Sequence, residues 1–200
     1  DLITVDIGGT SCDISMISKA KPLLRHEGKI DGYAIRVPMV DVNAIGSGGG
    51  SVAWLDSAGG LRVGPMSAGS DPGPACYAKG GDQPTVTDAS VLLGLLDPKF
   101  FAGGDVQLDP ALAESSINKH IATPMGLTVE NAALSIHRVV NAQMSEGIRS
   151  VTIRQGYDPR CFTLLALGGA GPLHSAELAK ELGIRQILTP RHPGVLSAWG

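Results

Sequence analysis

The 200 residues carry 16 lysines and arginines against 19 aspartates and glutamates, which gives a formal net charge of -3, and 43% of the residues are hydrophobic. This composition can fill one sizeable core, and it lacks the basic footprint of a nucleic-acid-binding protein. No apolar run approaches the roughly 20 residues that span a bilayer. We therefore expect a soluble protein with no nucleic-acid partner and no membrane contact.

The beginning of the chain and the cysteines indicate a compartment. Asp1 opens directly into a strand-like run without a signal sequence, and we expect a fragment of a longer polypeptide. Three cysteines, Cys12, Cys76 and Cys161, are odd in number and far apart. That pattern suits neither a disulfide framework nor a CxxC metal site. Reduced thiols in a cytoplasmic protein are the expectation.

Strands are predicted in the first third of the chain. Residues 2–7 and 13–18 are short apolar runs joined by a Gly-Gly turn, which is typical of a hairpin. A third antiparallel strand is expected within 30–42. Residues 52–56 and 61–64 flank a second glycine turn and predict a second hairpin.

An irregular segment and three helices are predicted next. Residues 65–84 are rich in proline and glycine and have no regular period, which indicates an ordered loop or lid. The predicted helices are 88–96 with Thr87 as its cap, a helix from the Asp109 cap and Pro110 to about His120, and 128–150. The last has apolar residues at 3.6-residue spacing and is expected to lie across the core.

The end of the chain predicts a βαβ unit. Strand 161–167, loop 168–171, helix 172–182 closed by Gly183, and strand 185–190 follow one another at the length of such a unit. Parallel strands joined to an antiparallel hairpin make a mixed sheet. The predicted class is α/β, with helices flanking that sheet.

Polar residues concentrate around the turn of the first hairpin: Asp6, Gly8, Gly9, Thr10, Ser11 and Asp13. Backbone N–H groups at a glycine turn can point at an anion, and the two hydroxyls can donate to the same oxygens. Carboxylates repel phosphate, but Mg²⁺ resolves the conflict because it prefers one or two carboxylates together with phosphate oxygens. The alternative is a polar hairpin in which aspartate caps its own turn.

A second glycine loop, 168-GGAG-171, lies between a strand and a helix. The positive end of the helix and its unpaired N–H groups favour a nucleotide there, and Gly168, Gly169 and Gly171 would let the ligand approach. The alternative is that these glycines serve packing alone. His174 in the first helical turn would contact a ligand or simply pack.

Two further segments leave alternatives open. Loop 46-GSGGGS-51 is either a phosphate cradle or a tight backbone crossing, and without a following lysine it is no Walker A loop. Asp71 and Cys76 belong either to a catalytic site or to a structured loop. A nucleophilic role for Cys76 would require a lowered pKa of its thiol.

Four blocks of sequence resemble the hydantoinase A and 5-oxoprolinase family. They are DIGGTSCDIS, GSGGGSVAWLDSAGGLRVGP, SAGSDPGPACY followed by PTVTDASVLLG, and GYDPRCFTLLALGGAGPLHSAELAKELGI. The blocks occur in family order and cover nearly the whole chain. The resemblance implies an ATP-dependent enzyme subunit with the fold shared by actin, sugar kinases and Hsp70, in which ATP lies between two ribonuclease H-like lobes.

The resemblance also implies roles for the two glycine loops. Residues 6–13 are similar to the second phosphate-binding hairpin of that fold, where Asp6 and Asp13 would hold Mg²⁺ and act in catalysis, and 168–171 to its adenosine loop. The first phosphate hairpin has no counterpart here. We therefore expect residues 1–200 to form the second nucleotide-binding lobe, with 43–110 as a loop- and hairpin-rich insertion and the preceding lobe absent.

The activity that the resemblance implies is the ATP-dependent opening of a small cyclic amide, such as 5-oxoproline or a hydantoin. Phosphoryl transfer to the amide oxygen would activate the substrate. A hydantoinase B-type subunit or domain is the implied partner, and the fragment is expected to be inactive alone. The alternatives are a subunit of an ATP-dependent ketone carboxylase and a non-catalytic ATP-binding scaffold module.

Overall fold

The computed structural model describes residues 1–199, apart from the side chains of Lys29 and Ile30. The chain divides into two compact units. Unit 1 comprises Asp1–Asp6, Cys12–Ile45 and the chain from Ser145 onward, and unit 2 comprises Ile7–Ser11 and Gly46–Met144. The turn of the first hairpin therefore groups with unit 2, whereas most of its two strands belong to unit 1.

The chain forms strands in its first and last thirds and helices mainly between them. The strands are β1 Leu2–Ile7, β2 Cys12–Ser18, β3 Lys21–Pro22, β4 Leu24–Arg25, β5 Gly28–Ile30, β6 Tyr33–Ile35, β7 Met39–Val40, β8 Val42–Ile45, β9 Ser51–Leu55, β10 Leu61–Ser67, β11 Thr163–Leu167 and β12 Gln186–Leu188. The helices are α1 Val86–Leu92, α2 Pro110–Ile117, α3 Thr123–Met125, α4 Val129–Val151, α5 Gly171–Leu182 and α6 Leu196–Trp199.

Unit 1 is built on a six-stranded mixed sheet in the order β12-β11-β1-β2-β3, with β8 also paired to β2. Strands β1, β11 and β12 are parallel neighbours, and β2 is antiparallel to β3 and β8. Burial alternates along β1, where Ile3, Val5 and Ile7 are buried, as the period of two in a strand requires. The predicted α/β class, with a mixed sheet and flanking helices, is confirmed.

The βαβ unit at the end of the chain is confirmed as well. Strand β11 pairs in parallel with β12, and α5 lies between them in sequence. Gly183 ends α5 with a φ of 70°, a left-handed conformation that glycine adopts without a Cβ penalty. Strand β11 begins at Thr163 rather than at the predicted residue 161, because Pro159–Cys161 form a 3₁₀ turn capped by Asp158.

The predicted third strand within 30–42 is wrong in its extent. Residues 21–45 form six short strands, and of these only β3 and β8 join the main sheet. Asp31 and Gly32 have φ values of 51° and 85°, so a turn interrupts the expected run and folds β5 against β6. Strand β8 begins at Val42 and supplies the antiparallel neighbour of β2.

Unit 2 contains the predicted second hairpin, observed as β9 and β10, together with α1, α2 and most of α4. The predicted cap of α1 is wrong by two residues. Thr85 caps the helix because Asp88 lies at the third helical position and completes a capping box with it. The predicted Asp109 cap of α2 and the long helix over 128–150 are confirmed.

A buried carboxylate holds the proline-rich segment against α1. Asp88 is fully buried and accepts hydrogen bonds from Cys76 N at 2.8 Å, Thr85 N at 2.9 Å and Thr85 Oγ1 at 2.8 Å. Its oxygens thus satisfy donors from both the loop and the helix start.

Among the described residues, no helix is long and apolar enough to cross a membrane.

Asp88→Ala should lower the free energy of unfolding by about 3 kcal/mol, because it leaves several buried donors unpaired. Asp105→Ala removes an exposed aspartate and should change it by less than about 0.5 kcal/mol. Chemical denaturation of both variants measures the difference. Equal stabilities would show that the Asp88 carboxylate does not anchor this segment.

Candidate functional site

The turn between β1 and β2 is held by the glycine loop 46–51. Gly8 N donates to Ser11 O at 3.1 Å and closes the turn. From the loop, Gly49 N donates to Gly8 O at 3.0 Å and Gly50 N donates to Gly9 O at 2.6 Å. Two successive carbonyl groups of the turn therefore point at the glycine loop.

The orientation of these carbonyl groups fixes the opposite ends of the same peptides. In a trans peptide the C=O and the following N–H point in opposite directions. Because Gly8 O and Gly9 O face the glycine loop, the N–H groups of Gly9 and Thr10 face away from it. Gly9 and Thr10 are exposed, so the turn presents two adjacent backbone donors in an open position, which suits an anion.

No described part of the protein requires glycine at positions 8 and 9. An ideal Cβ at either residue would have no heavy atom within 4 Å, and neither residue is among those with positive φ. The fold does not need glycine at these two positions, and two open N–H groups lie beside them. Glycine here is compatible with the close approach of a ligand to the backbone. The backbone of the turn thus fits a phosphate group.

The loop 46–51 is a tight backbone crossing. A Cβ on Gly48 would lie 2.8 Å from Gly8 O, Gly9 C and Ser11 N, all backbone atoms of the turn. Thr87 fixes the other side of the loop, because its N and Oγ1 donate to Gly49 O at 2.7 and 2.8 Å. Of the two alternatives for this loop, the geometry therefore favours a scaffold for the turn.

Gly48→Ala should lower the free energy of unfolding by about 2 kcal/mol, because the new methyl group would overlap three backbone atoms of the turn. Gly9→Ala is the matched control and should change it by less than about 0.5 kcal/mol, because its methyl group enters open space. Thermal or chemical unfolding of the two variants tests this difference. A Gly48→Ala variant as stable as Gly9→Ala would refute the scaffold role.

Asp6 and Asp13 lie opposite each other at the end of the hairpin. Thr4 Oγ1 is 2.6 Å from Ser15 Oγ on the same pair of strands, and Gly8 pairs with Ser11 at the turn. Both contacts belong to one register, which places Asp6 across from Asp13. Directly opposed residues have Cβ atoms roughly 5 Å apart, so two carboxylates share one face.

This pair of carboxylates fits a divalent cation. Like charges directly opposite each other destabilise a hairpin, and among the described ion pairs neither aspartate is joined to a basic side chain. Within residues 1–199 there is no group of three or more His, Cys, Asp or Glu that would form an all-protein metal cage. Mg²⁺ usually takes one or two carboxylates plus water and phosphate oxygens, which two opposed aspartates can provide.

Ser197 is a neighbour of Asp6 that the sequence did not reveal. Its Oγ donates to Asp6 Oδ2 at 2.5 Å, the short distance of a charge-assisted hydrogen bond. The two residues are 191 positions apart, and neither a motif nor a spacing connects them. Only the folded sheet brings the last described segment to the end of β1.

The loop 168–171 begins beside Asp6. In the parallel register of β1 and β11, Asp6 pairs with Leu167, so the carboxyl ends of both strands meet at one edge, where α/β sheets bind ligands. Gly168 has a φ of 75° and donates through its N to Pro193 O at 3.0 Å. A Cβ on Gly169 would have nothing within 4 Å. Helix α5 follows at Gly171 without a side-chain cap.

The remaining candidate on α5, His174, is fully buried. Its ring therefore belongs to the interior of unit 1, and contact between His174 and a ligand stays a prediction.

The cysteines of the two motif regions are inert. Burial raises the pKa of Cys12 to about 12, with a further contribution from the charges of Asp13 and Asp6. Burial also raises the pKa of Cys76, and the nearby Asp88 carboxylate adds to the effect. A thiol with a raised pKa is the opposite of an activated nucleophile. The geometry thus favours the structured-loop alternative for Cys76.

Thiol labelling at pH 8 should modify Cys161, which is exposed, and leave Cys12 and Cys76 unmodified until the protein unfolds. With a pKa of about 12, only roughly one Cys12 thiol in ten thousand is ionised at that pH. Mass spectrometry of peptides after timed labelling gives the three rates. Labelling of Cys76 as fast as Cys161 in the folded protein would contradict its raised pKa.

The chain belongs to the hydantoinase/oxoprolinase family, whose model matches residues 1–200. It is 46% identical over 200 residues to the caprolactamase subunit alpha of Pseudomonas jessenii, covering 100% of this chain and 29% of the relative. It is 35% identical over 215 residues to 5-oxoprolinase 1 of Arabidopsis thaliana, covering 100% of this chain and 17% of the relative. The chain thus spans less than a third of the curated relatives that it matches.

Two solved structures share the fold. The crystal structure of an ATP-dependent caprolactamase from Pseudomonas jessenii matches with a TM-score of 0.91 and 45% identity, over 99% of this chain and 29% of that one. A nucleotide-free acetone carboxylase, solved in a study of ATP-dependent acetone carboxylation, matches with a TM-score of 0.91 and 31% identity, over 99% of this chain and 28% of that one. Both proteins are described as ATP-dependent or as acting in an ATP-dependent reaction.

Proposed function

We propose that this chain is the nucleotide-binding part of an ATP-dependent enzyme that activates a small cyclic amide by phosphoryl transfer. The observation that carries the proposal is the turn 8–11, whose carbonyls are tied back so that the N–H groups of Gly9 and Thr10 face open space. The ATP-dependent caprolactamase and acetone carboxylation that share the fold support ATP as the ligand.

The proposed roles follow the chemistry of each group. The N–H groups at the turn and the hydroxyls of Thr10 and Ser11 bind phosphate oxygens, and the loop with Gly168, Gly169 and Gly171 binds the nucleoside side. Asp6 and Asp13 hold Mg²⁺, which when bound neutralises phosphate charge. Phosphoryl transfer depends chiefly on positioning and charge neutralisation, which the backbone donors of the turn and a metal ion held by carboxylates would supply.

A cyclic amide is the favoured substrate class. Caprolactamase and 5-oxoprolinase are both relatives of this chain, and both names denote the opening of a lactam ring. An amide nitrogen is a poor leaving group, and phosphorylation of the carbonyl oxygen makes that carbon easier to attack. A ketone carboxylase is the second candidate, because the acetone carboxylase structure matches the fold equally well by TM-score.

The chain would act within a larger assembly. We propose that a first lobe, like that of the actin-like ATPases, precedes it and forms the other wall of the nucleotide site, with 43–110 as an insertion in the second lobe. A hydantoinase B-type subunit or domain would add substrate chemistry, which the name of the caprolactamase subunit alpha supports. The three free cysteines support a reducing compartment such as the cytoplasm.

Asp6→Ala in the intact protein with its partner should lower substrate-stimulated phosphate release roughly 100-fold or more, because one of two proposed metal ligands is lost. The assay uses 5-oxoproline, hydantoins, caprolactam, and ketones with bicarbonate, and Asp105→Ala is the matched control. Unchanged release by Asp6→Ala would overturn the metal role. If only ketones stimulated phosphate release, the result would contradict the cyclic-amide proposal and favour the ketone carboxylase.

Gly9→Ala gives an independent test of the phosphate turn. Its methyl group enters the open space that the proposal assigns to phosphate, so the Kd for Mg-ATP should rise about tenfold while the unfolding free energy stays the same. Calorimetric titration of the intact protein measures the affinity. Normal Mg-ATP affinity in this variant would contradict the proposal that phosphate binds at the turn.

A further inference from the structure

The last described segment, residues 192–199, is attached to two parts of the candidate site in unit 1. We call this segment the strap. It consists of a short 3₁₀ turn, Pro193–Val195, and α6. One attachment joins Pro193 O to Gly168 N at 3.0 Å, and the other joins Ser197 Oγ to Asp6 Oδ2 at 2.5 Å.

Besides that hydrogen bond, the strap approaches the loop 168–171 at Gly194. A Cβ on Gly194 would come within 3.8 Å of Gly169 Cα, which is an ordinary van der Waals distance. Most residues of the strap are exposed, so apolar burial contributes little to holding it in place. Its position therefore depends strongly on the two polar attachments.

The hydrogen bond from Ser197 fixes the orientation of the Asp6 side chain. A hydroxyl that donates to Oδ2 restricts the rotation of the carboxylate, while Oδ1 is left for another partner. Asp6 faces Asp13 across the hairpin, and a neutral donor lessens the repulsion without neutralising the pair. A cation would therefore meet a carboxylate that is already oriented.

We propose that Ser197 is a positioning residue for Asp6, and that the strap couples Asp6 to the loop 168–171. This inference rests on the proposed function, because it assigns Asp6 to a metal site. Loss of the Ser197 hydroxyl frees Asp6 to rotate and releases one end of the strap. The other attachment, at Gly168, then loosens with it.

Ser197→Ala should raise the Kd for Mn²⁺, used as a paramagnetic probe with ATP, about tenfold or more in the intact protein, as is usual when a hydrogen-bond partner of a metal ligand is removed. Hydrogen exchange of the peptide over 163–171 without ligand should accelerate. Ser197→Thr keeps the hydroxyl and should restore both readouts. Ser135→Ala, which removes a partly exposed serine that donates to Asn131 O within α4, is the control and should leave both unchanged.

The outcomes separate this inference from the proposed function. Equal Mn²⁺ affinity in the wild type and Ser197→Ala overturns the positioning role of Ser197 alone. The coupling requires faster hydrogen exchange in Ser197→Ala. Unchanged exchange over 163–171 therefore overturns the proposal that the strap couples Asp6 to the loop 168–171. Absence of Mn²⁺ binding in the wild-type protein overturns the proposed metal site, and the positioning role falls with it. Failure of Ser197→Thr to rescue an impaired Ser197→Ala variant shows that the hydroxyl is not the cause.

Discussion

Two backbone hydrogen bonds, from Gly49 N to Gly8 O and from Gly50 N to Gly9 O, determine what the first hairpin can do. They turn the carbonyl oxygens of the turn inward, and planarity of the peptide then turns the following N–H groups outward. A turn with its carbonyls exposed would repel phosphate. The same residues would be useless for an anion without the glycine loop behind them.

The rest of unit 2 supports that arrangement. Thr87 fixes Gly49 from the first turn of α1, and α1 is in turn capped by Thr85 and joined to the proline-rich segment through Asp88. Ser47 Oγ donates to Gln143 Oε1 at 3.0 Å on α4. Residues far apart in sequence therefore hold one loop, and that loop holds the turn.

Unit 1 carries the two aspartates and the loop 168–171. Because β1 and β11 are parallel neighbours, Asp6 and the loop 168–171 emerge at the same edge of the sheet. The hairpin register then brings Asp13 opposite Asp6. Two carboxylates at one edge repel each other, and the Ser197 hydroxyl, which donates to Asp6 Oδ2, lessens that repulsion.

Sequence patterns predicted those parts of the fold that depend on local order. The period of two along β1, the long amphipathic run of α4 and the glycine stop after α5 were each sufficient to predict their elements. The six short strands over 21–45 escaped prediction because their turns use Asp31 at positive φ, which hydrophobic patterning does not reveal. The cap of α1 was misplaced because either of two threonines could have served.

The candidate site was predictable in its residue types but not in its assembly. Asp6, the glycines and Asp13 stand together in sequence, so their chemistry could be inferred from the motif. The direction of the Gly8 and Gly9 carbonyls, the scaffold role of Gly48 and the bond from Ser197 depend on contacts between distant segments. Such contacts leave no periodic or motif signal in a single sequence.

The most direct test of the account is a crystal structure of the intact protein with Mg²⁺ and a non-hydrolysable ATP analogue. The account predicts phosphate oxygens within about 3 Å of the backbone nitrogens of Gly9 and Thr10, as expected for N–H···O hydrogen bonds, and a metal ion beside Asp6 and Asp13. A nucleotide whose phosphates lie away from residues 8–11 would contradict it.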